Sequence, residues 1–244
     1  NSFFYALPKL EVVERWAQDA SEGFEFCMKV PRDLSHGRRL ASDQRVAEQL
    51  LQRLEILNDA GHLGPTFLQL HASFGPSRLP ELEQFLINWP SHFPLSVEVR
   101  HESFFEECEG AGRLNALLQA HAADRVVFDS RALFHAPPSD SVEAKSQGRK
   151  PRLPVKWNAL GARPMVRFVG RNDIEQVDPW QEEVADVVAK WIQEGRHPYV
   201  FMHTPDDTFA PQLCRRFHEK LRKRNSDLVA LNMPTCEVQA ELFE

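Results

Sequence analysis

The chain has 244 residues, 42% hydrophobic, 26% charged and 10% aromatic, the composition of an ordinary globular protein. Its 29 Lys and Arg against 35 Asp and Glu leave a formal charge of −6, which argues against a surface that neutralises many phosphates. No apolar run approaches the ~18 residues of a membrane span, and no signal-peptide pattern opens the chain. Cys27, Cys108, Cys214 and Cys236 lack the spacing of a zinc site or disulfide frame, so the sequence reads as a cytoplasmic protein with reduced thiols.

Taken in chain order, short apolar runs alternate with longer segments of helical spacing. Asn1–Tyr5 is expected to be the tail of a strand, and Phe24–Val30 a full one. In the segment 43–57, Val46, Leu50, Leu51, Leu54 and Leu57 recur at three and four residues, the stripe of a core-facing helix. Predicted strands follow at Thr66–Leu70, Leu95–Arg100, Arg125–Asp129, Met165–Val169 and Tyr199–His203. Helical stretches at Leu79–Trp89, Leu114–Ala122, Trp180–Ile192 and Ala210–Leu221 lie between and after them. This alternation implies βα units, a parallel sheet and a single α/β domain of the TIM-type (β/α) barrel class. Such a barrel wants eight strands; the shortfall implies that the first βα unit lies outside this chain, the alternative being a seven-stranded variant. The Pro-, Ser- and Lys-rich segment 136–158 breaks the rhythm and is expected to be a long exposed loop. No Gly-rich fingerprint follows a strand, so neither a dinucleotide-binding domain nor a P-loop is expected, and no cofactor can be assigned.

In a (β/α) barrel the carboxyl ends of the strands share one mouth, where chemistry is done. Those ends carry Asn1 and Tyr5, then Lys29 with His36 beyond it, then Gln69 and His71. Glu98, Arg100 and His101 follow, then Asp129, Arg167 and His203. In Val97-Glu98-Val99-Arg100 the charges alternate with valines, so Glu98 and Arg100 share one face. An unpaired buried charge is costly, so Glu98 and Lys29 are expected to face the interior and find partners.

At the same residues the chain resembles the YecE-like family, the domain of unknown function 72 family. The resemblance rests on Asn1-Ser-Phe-Phe-Tyr-Ala-Leu-Pro8, Phe24-x-Phe-x-x-Lys-Val-Pro31, Ser35-His36 and Leu63-Gly-Pro-x-x-Leu-Gln-Leu70. It continues through Val97-Glu-Val-Arg-His101, Asp129-Ser-Arg131, Arg167-Phe-Val-Gly170, Tyr199-x-Phe-x-His-Thr-Pro205 and the Leu242-Phe243 tail. It implies a TIM-type barrel whose members open with a Tyr-Ile-Gly strand that this chain lacks, and it assigns no activity. Where many members carry an Asn-Asn pair this chain has His203-Thr204, so a role for those amides does not transfer.

The residues point to an enzyme of acid–base chemistry, a hydrolase or isomerase acting on a small anionic or polyhydroxylated molecule. The candidate catalytic residues are Glu98, His101, Asp129 and Lys29, with Glu98 or His101 moving the proton. Arg100, Arg167, Gln69, His36, Tyr5, Asn1 and His203 are the candidate substrate-binding residues, Arg offering a bidentate fork to phosphate or carboxylate. A metal-dependent form would use Glu98, Asp129, His101 and His203, a permissive set of donors. A module that holds a nucleotide or nucleic-acid end would draw on Arg149-Lys150-Pro-Arg152, although the acidic balance opposes extensive nucleic-acid contact.

Overall fold

The computed structural model describes residues 2–37, 39–105 and 109–231. The elements run in the order α1 (Ser2–Tyr5), α2 (Leu10–Asp19), α3 (Arg32–Ser35), α4 (Gln44–Asp59), β1 (Thr66–Gln69), α5 (Leu79–Asn88), β2 (Leu95–Glu98), α6 (Glu109–Ala120) and β3 (Asp124–Arg125). They continue as β4 (Val127–Asp129), α7 (Arg131–Phe134), α8 (Ser141–Gln147), β5 (Met165–Val169), α9 (Asp178–Gln193), β6 (Tyr199–His203) and α10 (Ala210–Arg222). The fold is α/β with parallel sheets. Among the described residues the strands form two three-stranded sheets, β1-β2-β3 and β4-β5-β6.

The helices start where the sequence supplies a cap or a proline. Asp43 accepts a hydrogen bond from the Val46 N–H at 3.1 Å and opens α4, while Pro80, Pro179 and Pro211 occupy the first turns of α5, α9 and α10. The expected stripe of α4 is buried through Leu50, Leu54 and Leu57. It joins a core that includes Leu68 and Val97, one face of the β1-β2 pair.

The predicted strand Phe24–Val30 is reduced to two isolated parallel bridges, Phe26 with Leu63 and Lys29 with Phe67. The register slips by one residue between them, at Pro65, which has no N–H to give to the ladder. The predicted strand Arg125–Asp129 divides at Val126: β3 pairs with β2, and β4 pairs with β5. Ser2–Tyr5 is a helical turn and not a strand tail, because Phe3 buries itself in the core while Tyr5 stands 79% exposed.

The chain divides into two compact units. The first takes the chain up to Ser130 with Pro151–Phe168 and Gly195–Phe201; the second takes Arg131–Lys150, Val169–Glu194 and the chain from Met202 onward. Segment 136–158, expected to be a long exposed loop, contains the helix α8, which lies in the second unit. Asp140 caps α8 through the N–H groups of Val142 and Glu143, and the fully buried Glu143 receives two hydrogen bonds from Arg171 at 3.1 and 2.5 Å. A ladder of ion pairs joins α9 to α10, Asp178 to Arg216 and Lys220, and Glu182 to Lys220 and Arg224. No described helix is long and apolar enough to cross a membrane.

Candidate functional site

The polar residues of the first unit gather because the strands are parallel and in register. Gln69 is the register partner of Glu98, which puts both on one face of β1 and β2. The Lys29–Phe67 bridge brings Lys29 beside β1, and Arg167 is the partner of Phe128 across β4 and β5.

These residues form one connected group. Gln69 Oε1 accepts from Lys29 Nζ at 3.0 Å and from Arg100 Nη2 at 3.0 Å. Arg100 Nε donates to Glu98 Oε1 at 2.8 Å, and Arg167 Nη1 donates to Glu98 Oε2 at 2.5 Å. Glu98 is wholly buried, and Lys29, Gln69 and Arg167 are each less than a tenth exposed. Burial alone would raise the Glu98 carboxyl; Arg167 and Arg100 outweigh it and hold it at about 2. Rings flank the cations. Phe4 lies 3.7 Å from Lys29 Nζ, while Phe67 and Phe128 lie 5.3 and 5.9 Å from the Arg167 guanidinium carbon.

Two histidines, His36 and His71, reach this group through Phe4. The His36 ring meets Phe4 edge-on at 5.4 Å and His71 at 5.6 Å. Its Nδ1 lies 2.8 Å from Ser35 Oγ. Burial, then the charges of His71, Lys29, Arg100 and Arg32, lower His36 to about 4. His71 is exposed, and its Nδ1 accepts from the Ser73 N–H at 3.2 Å. His101 Nδ1 accepts from the Ser103 N–H at 3.3 Å, and its ring lies so close to Gly75 that a Cβ there would meet Nε2 at 3.1 Å.

Asp129 pairs in register with Phe168, so strand alternation gives it the face opposite Phe128 and Arg167. Its position at the end of β4 is the expected one. Tyr5 points outward and touches the group only through Phe4, 5.0 Å away in an edge-on contact. His203 belongs to the second unit, where its Nδ1 pairs with Asp207 Oδ1 at 3.2 Å. Asn1 lies outside the described residues. No three His, Cys, Asp or Glu side chains gather into a metal-binding group among the described residues, so the metal-dependent form lacks a donor set there. A cavity of ≈ 590 Å³ between α4 and α5 is lined by Leu50, Leu51, Phe85 and Trp89, and no member of the Lys29–Arg167 group borders it. Phe4 and Ser35 are the site residues that sequence reasoning passed over; Ser35-His36 stood in the family motif, but only the fold brings Phe4 to Lys29.

The comparisons agree with this architecture. The family described as protein of unknown function DUF72 matches residues 1–237. UPF0759 protein YecE of Escherichia coli K12 is 37% identical over 243 residues, spanning 100% of this chain and 88% of its own length. Its counterpart in Escherichia coli O157:H7 is 36% identical over the same span. A crystal structure of a DUF72 family protein from Enterococcus faecalis V583 superposes with a TM-score of 0.68 at 14% identity, over 96% of this chain and 86% of that one. A DUF72 family protein from Thermotoga maritima MSB8 gives 0.63 at 19% identity, over 90% and 82%. At those identities the solved structures speak for the fold. The family match and the YecE identity together place this chain in the DUF72 family.

Proposed function

We propose that the Lys29–Arg167 group binds a small dianion, a phosphate monoester or a dicarboxylate, and that the protein carries out proton transfer on the molecule bearing it. The observation that carries this reading is the convergence of Lys29, Arg100 and Arg167 on one amide oxygen and one carboxylate. Arg100 and Arg167 share the single carboxylate of Glu98, which leaves the two guanidinium groups with more positive charge than that carboxylate neutralises in a largely buried place, the condition that favours an anionic partner. Charge-assisted hydrogen bonds from guanidinium and ammonium groups to phosphate or carboxylate are the strong ones. Each guanidinium keeps N–H donors beyond those spent on Glu98 and Gln69.

Glu98 serves as the counter-ion that holds Arg100 and Arg167 in place. A carboxylate twice paired and held at about 2 is a poor base at neutral pH, so the proton passes to a histidine of the rim. Asp129, on the opposite strand face, supports the sheet and not the bound anion. The wider architecture under this proposal is a (β/α) barrel with the site at the carboxyl ends of its strands. The partner is a small cytoplasmic metabolite and not an extended nucleic acid, in keeping with the net charge of −6.

The test is calorimetric titration with inorganic phosphate at low ionic strength, for the parent and for Lys29→Met. Saturable binding weakened by about 10–100-fold in the variant is expected, the worth of one charged hydrogen bond of ~1.5–3 kcal/mol. No binding by the parent, or equal binding by both, would overturn the reading.

A further inference from the structure

His36 and His71 meet edge-on, and the contacts that each makes within its own turn favour opposite tautomers. Ser35 Oγ lies 3.0 Å from the Pro31 carbonyl oxygen and 2.8 Å from His36 Nδ1, and the hydroxyl has a single proton. Given to His36, that proton would leave two acceptor oxygens in contact at 3.0 Å. Given to Pro31, it lets His36 donate from Nδ1 to Ser35 Oγ, and both contacts become hydrogen bonds. His36 then carries its proton on Nδ1 and leaves a lone pair on Nε2. At His71 the direction is reversed. Ser73 meets His71 Nδ1 twice, through its hydroxyl at 2.8 Å and its backbone N–H at 3.2 Å; the N–H can only donate and the hydroxyl can donate as well, so both contacts are hydrogen bonds when Nδ1 accepts and His71 carries its proton on Nε2.

We propose that His36 and His71 work as a pair above the anion site, His36 Nε2 accepting a proton from the substrate while His71 Nε2–H donates a hydrogen bond to a substrate oxygen, with Ser35 the positioning residue that sets the tautomer of His36. This rests on the anion-site reading above and names the groups that would move and steady the proton. In the step, the substrate X–H bond breaks and its electron pair stays on X. The Nε2–H bond of His36 forms, giving an imidazolium that later returns the proton to product or water. His71 stays neutral throughout, because losing its remaining proton would leave an imidazolate; it polarises the oxygen on which charge develops.

Three further observations agree. The rings stand 5.6 Å apart at 78°, close enough for both to reach one small molecule. Phe4 packs on Lys29 and its ring also meets His36, so Lys29 and the histidine pair share one wall. Burial and the neighbouring basic groups keep the free His36 neutral with its lone pair available, and a bound dianion offsets those charges and strengthens it as a base.

The experiment is long-range ¹H–¹⁵N correlation NMR on the histidine-labelled full chain at pH 7.5, with assignment by single His→Gln variants. His36 is expected as the Nδ1–H tautomer and His71 as Nε2–H. Ser35→Ala should return His36 to the Nε2–H form that unconstrained histidine side chains favour, Ser35→Thr should restore Nδ1–H, and His71 should be unmoved in both. A parent His36 already in the Nε2–H form, or one indifferent to Ser35→Ala, would overturn the pairing. Phosphate added to the same samples separates the two claims. Phosphate binding with His36 in the Nε2–H form contradicts this inference alone. The assigned tautomers without phosphate binding uphold the tautomer pair and contradict the anion-site reading.

Discussion

Replacing Glu98 by Gln keeps the shape of the side chain and removes the carboxylate charge that binds both Arg100 and Arg167 in the buried group. The carboxyl sits at about 2 against its ordinary 4.5, which at 1.36 kcal/mol per pKa unit corresponds to about 3 kcal/mol. Breaking one side of a buried pair costs ~3–5 kcal/mol by general experience, so the two figures agree in size. For a chain of this length that is a fall in Tm of about 6–20 °C, at ~2–4 °C per kcal/mol. Because the folded-state value is depressed, the contribution is complete above pH 4.5 and is lost as pH falls from there to about 2; the stability of Glu98→Gln should be flatter than the parent's across that window. The variant also takes from Arg100 and Arg167 the carboxylate they share, so phosphate should raise its Tm by more than it raises the parent's, through preferential binding to the folded state. Thermal denaturation with and without phosphate, followed by circular dichroism, reads both effects. A variant as stable as the parent, or an equal response to phosphate, would refute the assignment of Glu98 as counter-ion.

Two further outcomes follow from the geometry. The groups that act on His36, namely His71, Lys29, Arg100 and Arg32, are all basic, so a bound dianion should raise His36 from about 4 towards the ordinary histidine range; an NMR titration in saturating phosphate checks this, and an unchanged midpoint contradicts it. Arg171→Met removes both hydrogen bonds to the buried Glu143 and should release α8, so limited proteolysis should cut within 136–158 faster than in the parent while phosphate binding stays unchanged; equal cleavage rates would show that Asp140 and Gln147 hold the segment without Arg171.

The pairing of Glu98 with Arg100 was legible because strand alternation alone sets which residues share a face. The gathering of Lys29, Gln69 and Arg167 followed from parallel strands sharing one direction. The side of Asp129 depends on a register, Asp129 opposite Phe168, that no local pattern carries. The slip at Pro65 and the break at Val126 are likewise properties of pairing and not of either strand alone. α8 was hidden because its anchor, Arg171, lies 28 residues away from Glu143 and on the far side of β5 in sequence. Phe4 was passed over for a related reason: an aromatic run at a chain's start looks like strand until the contact with Lys29 is known. The helical stripes of α4, α9 and α10 needed no such knowledge, since their period alone fixed the buried face.

The most direct test of the anion site is diffraction from crystals soaked in selenate, whose anomalous signal locates a tetrahedral dianion without ambiguity. The account predicts a selenate within hydrogen-bond distance of Lys29 Nζ and of a guanidinium N–H of Arg100 or Arg167, with His36 and His71 facing it. Selenate bound only at other surfaces, with none beside Lys29 at saturating concentration, would contradict it.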